Sequence, residues 1–421
     1  MPVGLVFGLT VLLPMERGLP LAQVGVLLSL QGFVVLALEL PTGGIADAWG
    51  RRPLLVASGV LAVASAALMV LADSFWVFAL ALILQGVFRA LDSGPLEAWF
   101  VDAAQGADGE APVARGLSRA ATVLGMAIAV GALAGGALVA WHPIAGSSAL
   151  VLPFVVSVGL YMLHTVLVAA LVRETRRRPP RLSREERRSL GRASSSGRPR
   201  APRLNVGGLG SVVADGFRLL LGSPALRGLV LVEVFWSLAM IAFETLTPVQ
   251  LAEQLGSDSA AGALFGPASA AAWALFAGGA ALAGLASRRV GVVWCAIGAR
   301  ILNGMFVVAM GFAAGPVGLV AAYWLAYVTH GAAGPMHSTL LHRQASAGNR
   351  TVVLSMNSMV AGGAYSLGLL ALTPLAELAS TGFAMAVAGA VSIAGALFYL
   401  PALRQERRAR ASSSSLFEEL L

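Results

Sequence analysis

Lysine is absent from this 421-residue chain, and cysteine and charged residues are scarce. All 29 basic residues are arginine, which we interpret as codon bias of a GC-rich genome, such as an actinobacterial one. The single cysteine, Cys295, excludes an internal disulfide. Charged residues make up only 12% of the chain, about half the share found in soluble domains, so a water-soluble protein is not expected.

The sequence also lacks the motifs of common enzyme classes. It has no glycine-rich phosphate loop with Lys and Ser or Thr, and no Gly-x-Ser-x-Gly nucleophile turn. Its five histidines and one cysteine do not fall at the spacing of metal ligands. We therefore expect neither an enzyme nor a resident cofactor or metal. The histidines are His142, His164, His330, His337 and His342.

Long apolar segments dominate the chain instead. Hydrophobic residues make up 57% of it, and the mean hydropathy is +0.79. Because a membrane-spanning helix needs about 17 to 25 mostly apolar residues, we predict an all-α membrane protein with twelve spans, six on each side of a polar linker. The predicted spans are 3–14, 24–45, 53–72, 75–98, 118–141, 149–172, 226–251, 262–286, 290–312, 316–341, 352–374 and 381–403.

The first predicted span is too short to cross a bilayer, and no basic residue precedes it as in a signal peptide. We expect that the true start of the protein lies upstream and that about half of this helix is absent. The chain divides into an N-terminal bundle (1–172), a linker (173–225), a C-terminal bundle (226–403) and a tail (404–421).

Arginine is distributed very unevenly between the two sides of the predicted bundle. The linker, the tail, four loops and the adjoining ends of the spans carry 26 arginines on one side, whereas the other side has only Arg17. Because basic loops stay in the cytoplasm, we predict a multi-pass protein of the plasma membrane with both termini cytoplasmic. The arginine-rich stretch 173–203 of the linker has no aromatic residues for base stacking, so we expect lipid headgroups rather than nucleic acid as its partner.

One loop between predicted spans carries a recognisable motif. Between the second and third spans the chain reads Gly43-Gly44-Ile45-Ala46-Asp47-Ala48-Trp49-Gly50-Arg51-Arg52. This resembles the signature loop of the major facilitator superfamily, except that Ala48 stands where that family usually has a cation. The resemblance covers essentially the whole chain and implies two pseudo-symmetric six-helix bundles that transport small molecules by alternating access.

The resemblance also implies roles for individual charged residues. Asp47 and Arg51 would make the contacts that lock the cytoplasmic gate in the outward-facing state. Asp102, just past the fourth span, and Arg115, in the next loop, would be their partners. The alternative is an ordinary loop whose surface ion pairs contribute under about 1 kcal/mol each.

Two further stretches fit the same family. Gly284-Leu285-Ala286-Ser287-Arg288-Arg289 is a degenerate second copy of the signature loop, in the equivalent position of the second half. In the fifth span, Gly131, Gly135 and Gly136 resemble a glycine element of antiporters in this family, with Ala132 in place of its proline. Such glycines also make a flat face for close helix packing, which is the alternative interpretation.

Charged residues inside spans are costly and therefore candidates for function. Glu39 in the second span and Asp92 in the fourth are predicted at similar depth, with Arg89 one turn deeper in the fourth span. An arginine between two carboxylates could bind and release a proton, although a permanent ion pair is an alternative. Glu97 follows closer to the cytoplasm.

The second half supplies further candidates. Glu233 and Glu244 lie eleven residues apart, a spacing that returns to the same helix face, and Glu244 is the deeper of the two. Tyr323, Tyr327 and His330 form one stripe of the tenth span, which in this family lines the substrate cavity. A buried packing face would explain the two tyrosines equally well. For Arg300 we expect snorkelling or a structural pair.

These features predict a secondary active transporter of small molecules, with protons, substrate and the bilayer as its partners. We expect proton-coupled efflux of amphipathic, drug-like compounds by a monomer. Uptake of a metabolite by the same fold, and a sensor or scaffold that transports nothing, are the alternatives.

Overall fold

The computed structural model describes residues 1–92, 96, 99–101, 103–104, 113–144, 146–172, 218–345 and 349–408. At 40–49, 114, 115, 118, 121 and 351 it describes the backbone alone. The predicted linker up to residue 217, and Asp102, Glu97 and most of the tail, lie outside the described residues. Every regular element in these described ranges is a helix, which confirms the predicted all-α class.

Fourteen α-helices account for most of the described chain. In the first half these are α1 (Pro2–Leu5), α2 (Leu9–Glu16), α3 (Leu21–Trp49), α4 (Arg51–Leu71), α5 (Phe75–Asp92), α6 (Val113–Trp141) and α7 (Val151–Leu171). In the second half they are α8 (Pro224–Ile241), α9 (Thr247–Leu255), α10 (Asp258–Val290), α11 (Val292–Gly311), α12 (Pro316–Gln344), α13 (Arg350–Leu378) and α14 (Thr381–Gly395). A π-helical turn, Ala242–Leu246, joins α8 to α9, and a 3-10 turn, Ala396–Tyr399, follows α14.

Ten helical segments of the described chain are long and apolar enough to cross a membrane. They correspond to ten of the twelve predicted spans. The tenth predicted span is the 29-residue helix α12, which is as long as a span but less apolar. The first consists of the two short helices α1 and α2, separated where Gly8 adopts a φ of 79°.

The two halves pack against each other through two helix pairs, α3 with α13 and α6 with α10. Ser29 Oγ donates to the Ser366 carbonyl at 2.8 Å, and the Ala22 amide donates to Glu377 Oε1 at 2.7 Å. These contacts lie toward one end of the molecule, where residues 16–20, 142–150, 256–258 and 312–315 connect the helices. We call this the closed end, and the opposite one, from which residues 173–217 depart, the linker end.

Toward the linker end the described contacts between the halves become fewer. The described hydrogen bonds and glycine contacts that join the halves reach no further in that direction than Leu36 and Gly363, at the middle of α3 and α13. The halves are thus held together at the closed end, as expected of one state of an alternating-access protein.

The internal repeat is visible in the backbone. Gly50 precedes α4 with φ 90° and ψ 157°, and Gly291 precedes α11 with φ 89° and ψ 157°. Gly50 lies three residues after Asp47, and Gly291 lies four residues after Ser287. Only glycine adopts this conformation without strain, so the second copy keeps the turn although its acidic residue has become Ser287.

Candidate functional site

A π-helical turn places Glu244 at the middle of the molecule. Pro248 has no N–H with which to bond the carbonyl of Glu244, four residues earlier, so the regular helix cannot continue there. The chain instead forms the wider turn Ala242–Leu246, in which the Thr247 amide bonds the carbonyl of Ala242. Such turns are rare and occur frequently at functional sites.

Glu244 has one hydrogen-bond partner on the neighbouring helix α13. The Tyr365 hydroxyl donates to Glu244 Oε2 at 3.1 Å and lies 3.4 Å from Thr245 Oγ1. No ion pair with Glu244 is formed by the described residues. A carboxyl group inside a membrane-spanning segment that has no ion-pair partner is costly when charged, which makes this half-buried position a candidate for binding a proton or a cation.

Arg89 faces this carboxyl group from the other half of the molecule. Its side chain, on α5, is exposed and lies within electrostatic range of both Glu244 and Tyr365. Within the described chain it forms neither a hydrogen bond nor an ion pair. The Arg89 guanidinium and the Glu244 carboxyl group thus lie within electrostatic range of each other although they belong to different halves.

This arrangement differs from the predicted one, in which Glu39 and Asp92 flank Arg89. Arg89 and Asp92, both in the described part of α5, form no ion pair. Asp92 interacts electrostatically with His164 of α7 instead, and Glu39 is half-buried on α3. Residues three apart on a helix lie on the same side of it, and both Asp92 and Arg89 lie within electrostatic range of Tyr161 on α7.

A second charged cluster lies inside the C-terminal half, nearer the linker end. Glu233 Oε1 lies 2.9 Å from His337 Nε2 and 3.7 Å from Arg300 Nη2. The three residues are between 2% and 5% exposed, so Glu233 does not line an opening in this conformation, contrary to its prediction as a cavity residue. The charged and polar neighbours of the two acids differ: Glu233 lies near His337 and Arg300, whereas Glu244 bonds Tyr365.

The predicted stripe of α12 packs into an aromatic cluster. Tyr323 is 0% and Tyr327 2% exposed, and His330 stacks on Trp236 with ring centroids 4.9 Å apart. Phe243 of the π-helical turn contacts all three residues of the stripe. The stripe therefore agrees with the alternative of a buried packing face, because its rings pack against one another and against Phe243, the residue next to Glu244.

Comparison with known proteins identifies the family. The model of the Major Facilitator Superfamily matches residues 3–328. The chain belongs to this superfamily. It is therefore a multi-pass membrane protein of a family of secondary transporters. No curated protein matches the chain.

Solved structures of the superfamily have the same fold. The nucleoside transporter NupG is similar with a TM-score of 0.70 and 10% identity over 95% of each chain. A POT family transporter in complex with 5-aminolevulinic acid gives a TM-score of 0.65 and 13% identity, covering 95% of this chain and 92% of the other. Identities this low establish the shared fold and leave the substrate open.

The signature loop of the superfamily is described in part. Gly50 has the positive φ noted above, Arg51 is half-buried, and Arg52 Nη2 donates to the carbonyl of Ala169 on α7 at 2.7 Å. Arg52 thus binds within its own half. The side chains of Asp47 and Arg115, and all of Asp102, lie outside the described residues, as do the surroundings of Gly43 and Gly44.

The glycines of α6 are divided between two neighbours. Gly131 and Gly135 pack on the backbone of α1. Gly136 packs on α10 in the other half, beside Gly266 and Pro267. The close-packing interpretation therefore applies to both faces of α6. The face that carries Gly136 contacts α10 and so joins the two halves.

Several of these groups had weak signals in the sequence. Pro248 indicates the break after Glu244, and the seven-residue spacing to Gly291 repeats that to Gly50. Tyr365, Tyr399 and Asn357 carried no signal, because only tertiary packing brings them to Glu244 and His337.

Proposed function

We propose that this protein is a proton-coupled exporter of amphipathic, drug-like compounds that works by alternating access. The observation that supports the proposal is the electrostatic proximity of Arg89, in the N-terminal half, to Glu244, in the C-terminal half. A cationic substrate and a proton would compete for the Glu244 carboxyl group, because neither can neutralise it while the other is bound.

The orientation of the chain supports export. The arginine-rich linker and loops lie at the linker end, so this end is cytoplasmic by the positive-inside rule. The described halves are joined at the closed end, so in the proposed cycle this conformation is the one that takes up substrate from the cytoplasm. The antiporter-like glycines Gly131, Gly135 and Gly136 favour the same direction.

In the proposed cycle, substrate from the cytoplasm displaces the proton from Glu244, and the halves close over it at the linker end. Opening at the closed end releases the substrate outside, where a proton replaces it. Arg89 assists the release, because its positive charge repels a cationic substrate once the halves approach each other.

Substrate-dependent proton movement in inverted membrane vesicles tests this proposal. Vesicles with an acidified interior are given a panel of lipophilic cations, and the loss of the pH gradient is followed with a fluorescent dye. We expect a substrate-dependent loss with the native protein and none with Glu244→Gln. Glu253→Gln, which removes a carboxylate that contacts Thr381 at the closed end, is the matched control and retains the response.

Membrane abundance of each variant is measured by immunoblot. A response that survives Glu244→Gln excludes this residue as the coupling site. Accumulation of substrate in right-side-out vesicles would favour uptake, and no response from correctly inserted native protein would favour a sensor or scaffold.

A further inference from the structure

The helix α11 and the last helical segment of the described chain lie side by side at the linker end. α11 begins there at Val292, and the chain returns there through α14, the 3-10 turn and a helical segment that reaches Arg408. The two are in close contact, since a Cβ atom at Gly304 would lie 2.5 Å from Ile393 Cγ1 and 2.8 Å from the Gly389 carbonyl oxygen. Their outer faces are therefore neighbours.

The outer face of α11 is apolar. Trp294, Leu302 and Met305 recur at helical spacing and are 49%, 46% and 52% exposed. Gly298 lies between them, and a Cβ atom there would meet no other atom within 4 Å. From Trp294 to Met305 this face is about 16 Å long, close to half the hydrocarbon thickness of a bilayer. An acyl chain of one leaflet can therefore lie along it over most of its length.

The last helical segment carries arginines on one exposed face. Leu397, Leu400, Arg404 and Arg407 recur three or four residues apart, and all four are exposed. The leucines come first, and the arginines follow toward the linker end. This face therefore passes from apolar to basic, as expected where a helix leaves the hydrocarbon for the headgroup region.

One contact joins the two faces at their polar end. The Arg407 guanidinium lies over the Trp294 ring, 5.8 Å from its centroid. Tryptophan is enriched at the level of the lipid headgroups, and an arginine that lies over a ring keeps the N–H groups along its edge available for another partner. Arg288 and Arg289, both exposed at the end of α10, directly precede the turn into α11.

The arginines at this surface have no acidic partner. Within the described part of the chain, Arg288, Arg289, Arg404 and Arg407 form neither an ion pair nor a hydrogen bond. Glu406 is the only acidic residue between positions 397 and 408. A guanidinium presents a planar fork of N–H donors that fits a phosphate group. Unpaired positive charge beside an apolar, membrane-facing column fits a molecule with an anionic head and apolar chains.

We propose that this surface binds an anionic glycerophospholipid in the leaflet at the linker end. Arg404 and Arg407 hold the phosphate group. Arg288 and Arg289 add positive charge, and one acyl chain lies along α11 beside Trp294. A zwitterionic lipid would bring a second cation next to the arginines, and inorganic phosphate has no chain to cover the apolar face, so both bind more weakly.

This lipid site is separate from the candidate transport site. It lies on the bilayer side of the C-terminal half, whereas Glu244 bonds Tyr365 on α13. Lipid binding requires neither transport nor proton coupling, so the proposal does not depend on the function proposed above.

Fluorescence quenching by brominated lipids tests the proposal at this position. The full-length protein is reconstituted in phosphatidylcholine vesicles that contain increasing shares of brominated phosphatidylglycerol or, with the same chains, brominated phosphatidylcholine. The chain has eight tryptophans, so the signal of Trp294 is the difference between the native protein and Trp294→Phe. Two arginines near an anionic headgroup correspond to a preference of roughly 30-fold, and we expect half-quenching at a correspondingly lower share of phosphatidylglycerol.

Arg407→Gln and Arg350→Gln form a matched pair of variants. Each removes one exposed arginine at the linker end, and Arg407 lies at Trp294 whereas Arg350 begins α13. We expect Arg407→Gln to reduce the preference to roughly fivefold and the double variant Arg404→Gln/Arg407→Gln to abolish it. Arg350→Gln should leave it unchanged, as should inorganic phosphate added at constant ionic strength.

Equal quenching of Trp294 by the two brominated lipids would overturn the proposal. Equal effects of Arg407→Gln and Arg350→Gln would also overturn it, because they would assign the preference to general surface charge. A Trp294 signal that neither lipid quenches would show that the chain itself or a second copy covers the surface. Loss of the preference on adding inorganic phosphate would show an anion site that has no need of a lipid, and both results exclude the lipid site.

Discussion

The contact between Gly136 and α10 offers a direct test of how the two halves move. A Cβ atom at Gly136 would lie 2.6 Å from Pro267 Cδ and 2.8 Å from the Ala263 carbonyl oxygen. Both distances are below those of real contacts, so Gly136→Ala must push α6 and α10 apart. Overpacking of this kind costs about 1 to 3 kcal/mol.

This cost falls only on the conformation in which the halves touch at the closed end. If the protein alternates, the substitution leaves the opposite conformation unaffected. Since each 1.4 kcal/mol changes an equilibrium about tenfold, we expect the ratio of the two conformations to shift by roughly 5- to 150-fold. The opposite conformation, in which the two halves separate at this end of the molecule, should therefore become well populated.

Electron spin resonance distance measurement between the halves detects this shift. Spin labels replace Ile144 and Ala260, both exposed at the closed end, after Cys295 is changed to alanine. We expect Gly136→Ala to add a longer distance to the distribution. Gly125→Ala is the matched control, because it lies on the same helix, gains the same helix propensity of about 1 kcal/mol and has no atom within 4 Å of its new Cβ.

Identical distance distributions in Gly136→Ala, Gly125→Ala and the native background would refute this reasoning. They would mean that the contact at the closed end persists in every state, and that the halves do not separate there.

Two further predictions concern stability, measured as thermal unfolding in detergent. Gly291→Ala forces a side chain into a backbone conformation with a φ of 89° and should destabilise the protein by about 1 to 3 kcal/mol, whereas Gly284→Ala, which meets nothing within 4 Å, should not. Arg17 donates to the carbonyls of Met69, Val70 and Ala72 at the end of α4, so Arg17→Gln should also lower stability by about 1 to 3 kcal/mol. Unchanged melting of Gly291→Ala would contradict the repeat geometry, and unchanged melting of Arg17→Gln would show that water replaces these bonds.

The sequence alone determined that the protein is an all-α membrane protein and that it belongs to the major facilitator superfamily. It also predicted the division into two halves. In a bilayer every backbone polar group must be bonded internally, so long apolar segments have to be helices. The signature loop added the superfamily, because Gly50 and the charged residues around it occur in a fixed order along the chain. These are local properties, and local properties can be read from residue order.

The position of a charged residue along its membrane-spanning helix can also be predicted from the sequence, because a helix rises by a constant amount per residue. On this ground Glu244 is predicted as the deeper acid of its span. What the sequence left undetermined was which neighbours each side chain meets. Glu233 contacts His337 and Arg300, whereas Glu244 bonds Tyr365.

Only the tertiary structure decided which charges meet. Arg89 was predicted to pair with Glu39 and Asp92 of its own half, yet it faces Glu244 of the other half. Arg300 was expected to snorkel or to form a structural pair, and it lies buried beside Glu233 and His337 instead of reaching the surface. Partners in space are set by how helices rotate when they pack, and that rotation depends on small residues such as Gly136 and Gly266 at the contacts, not on the charges themselves.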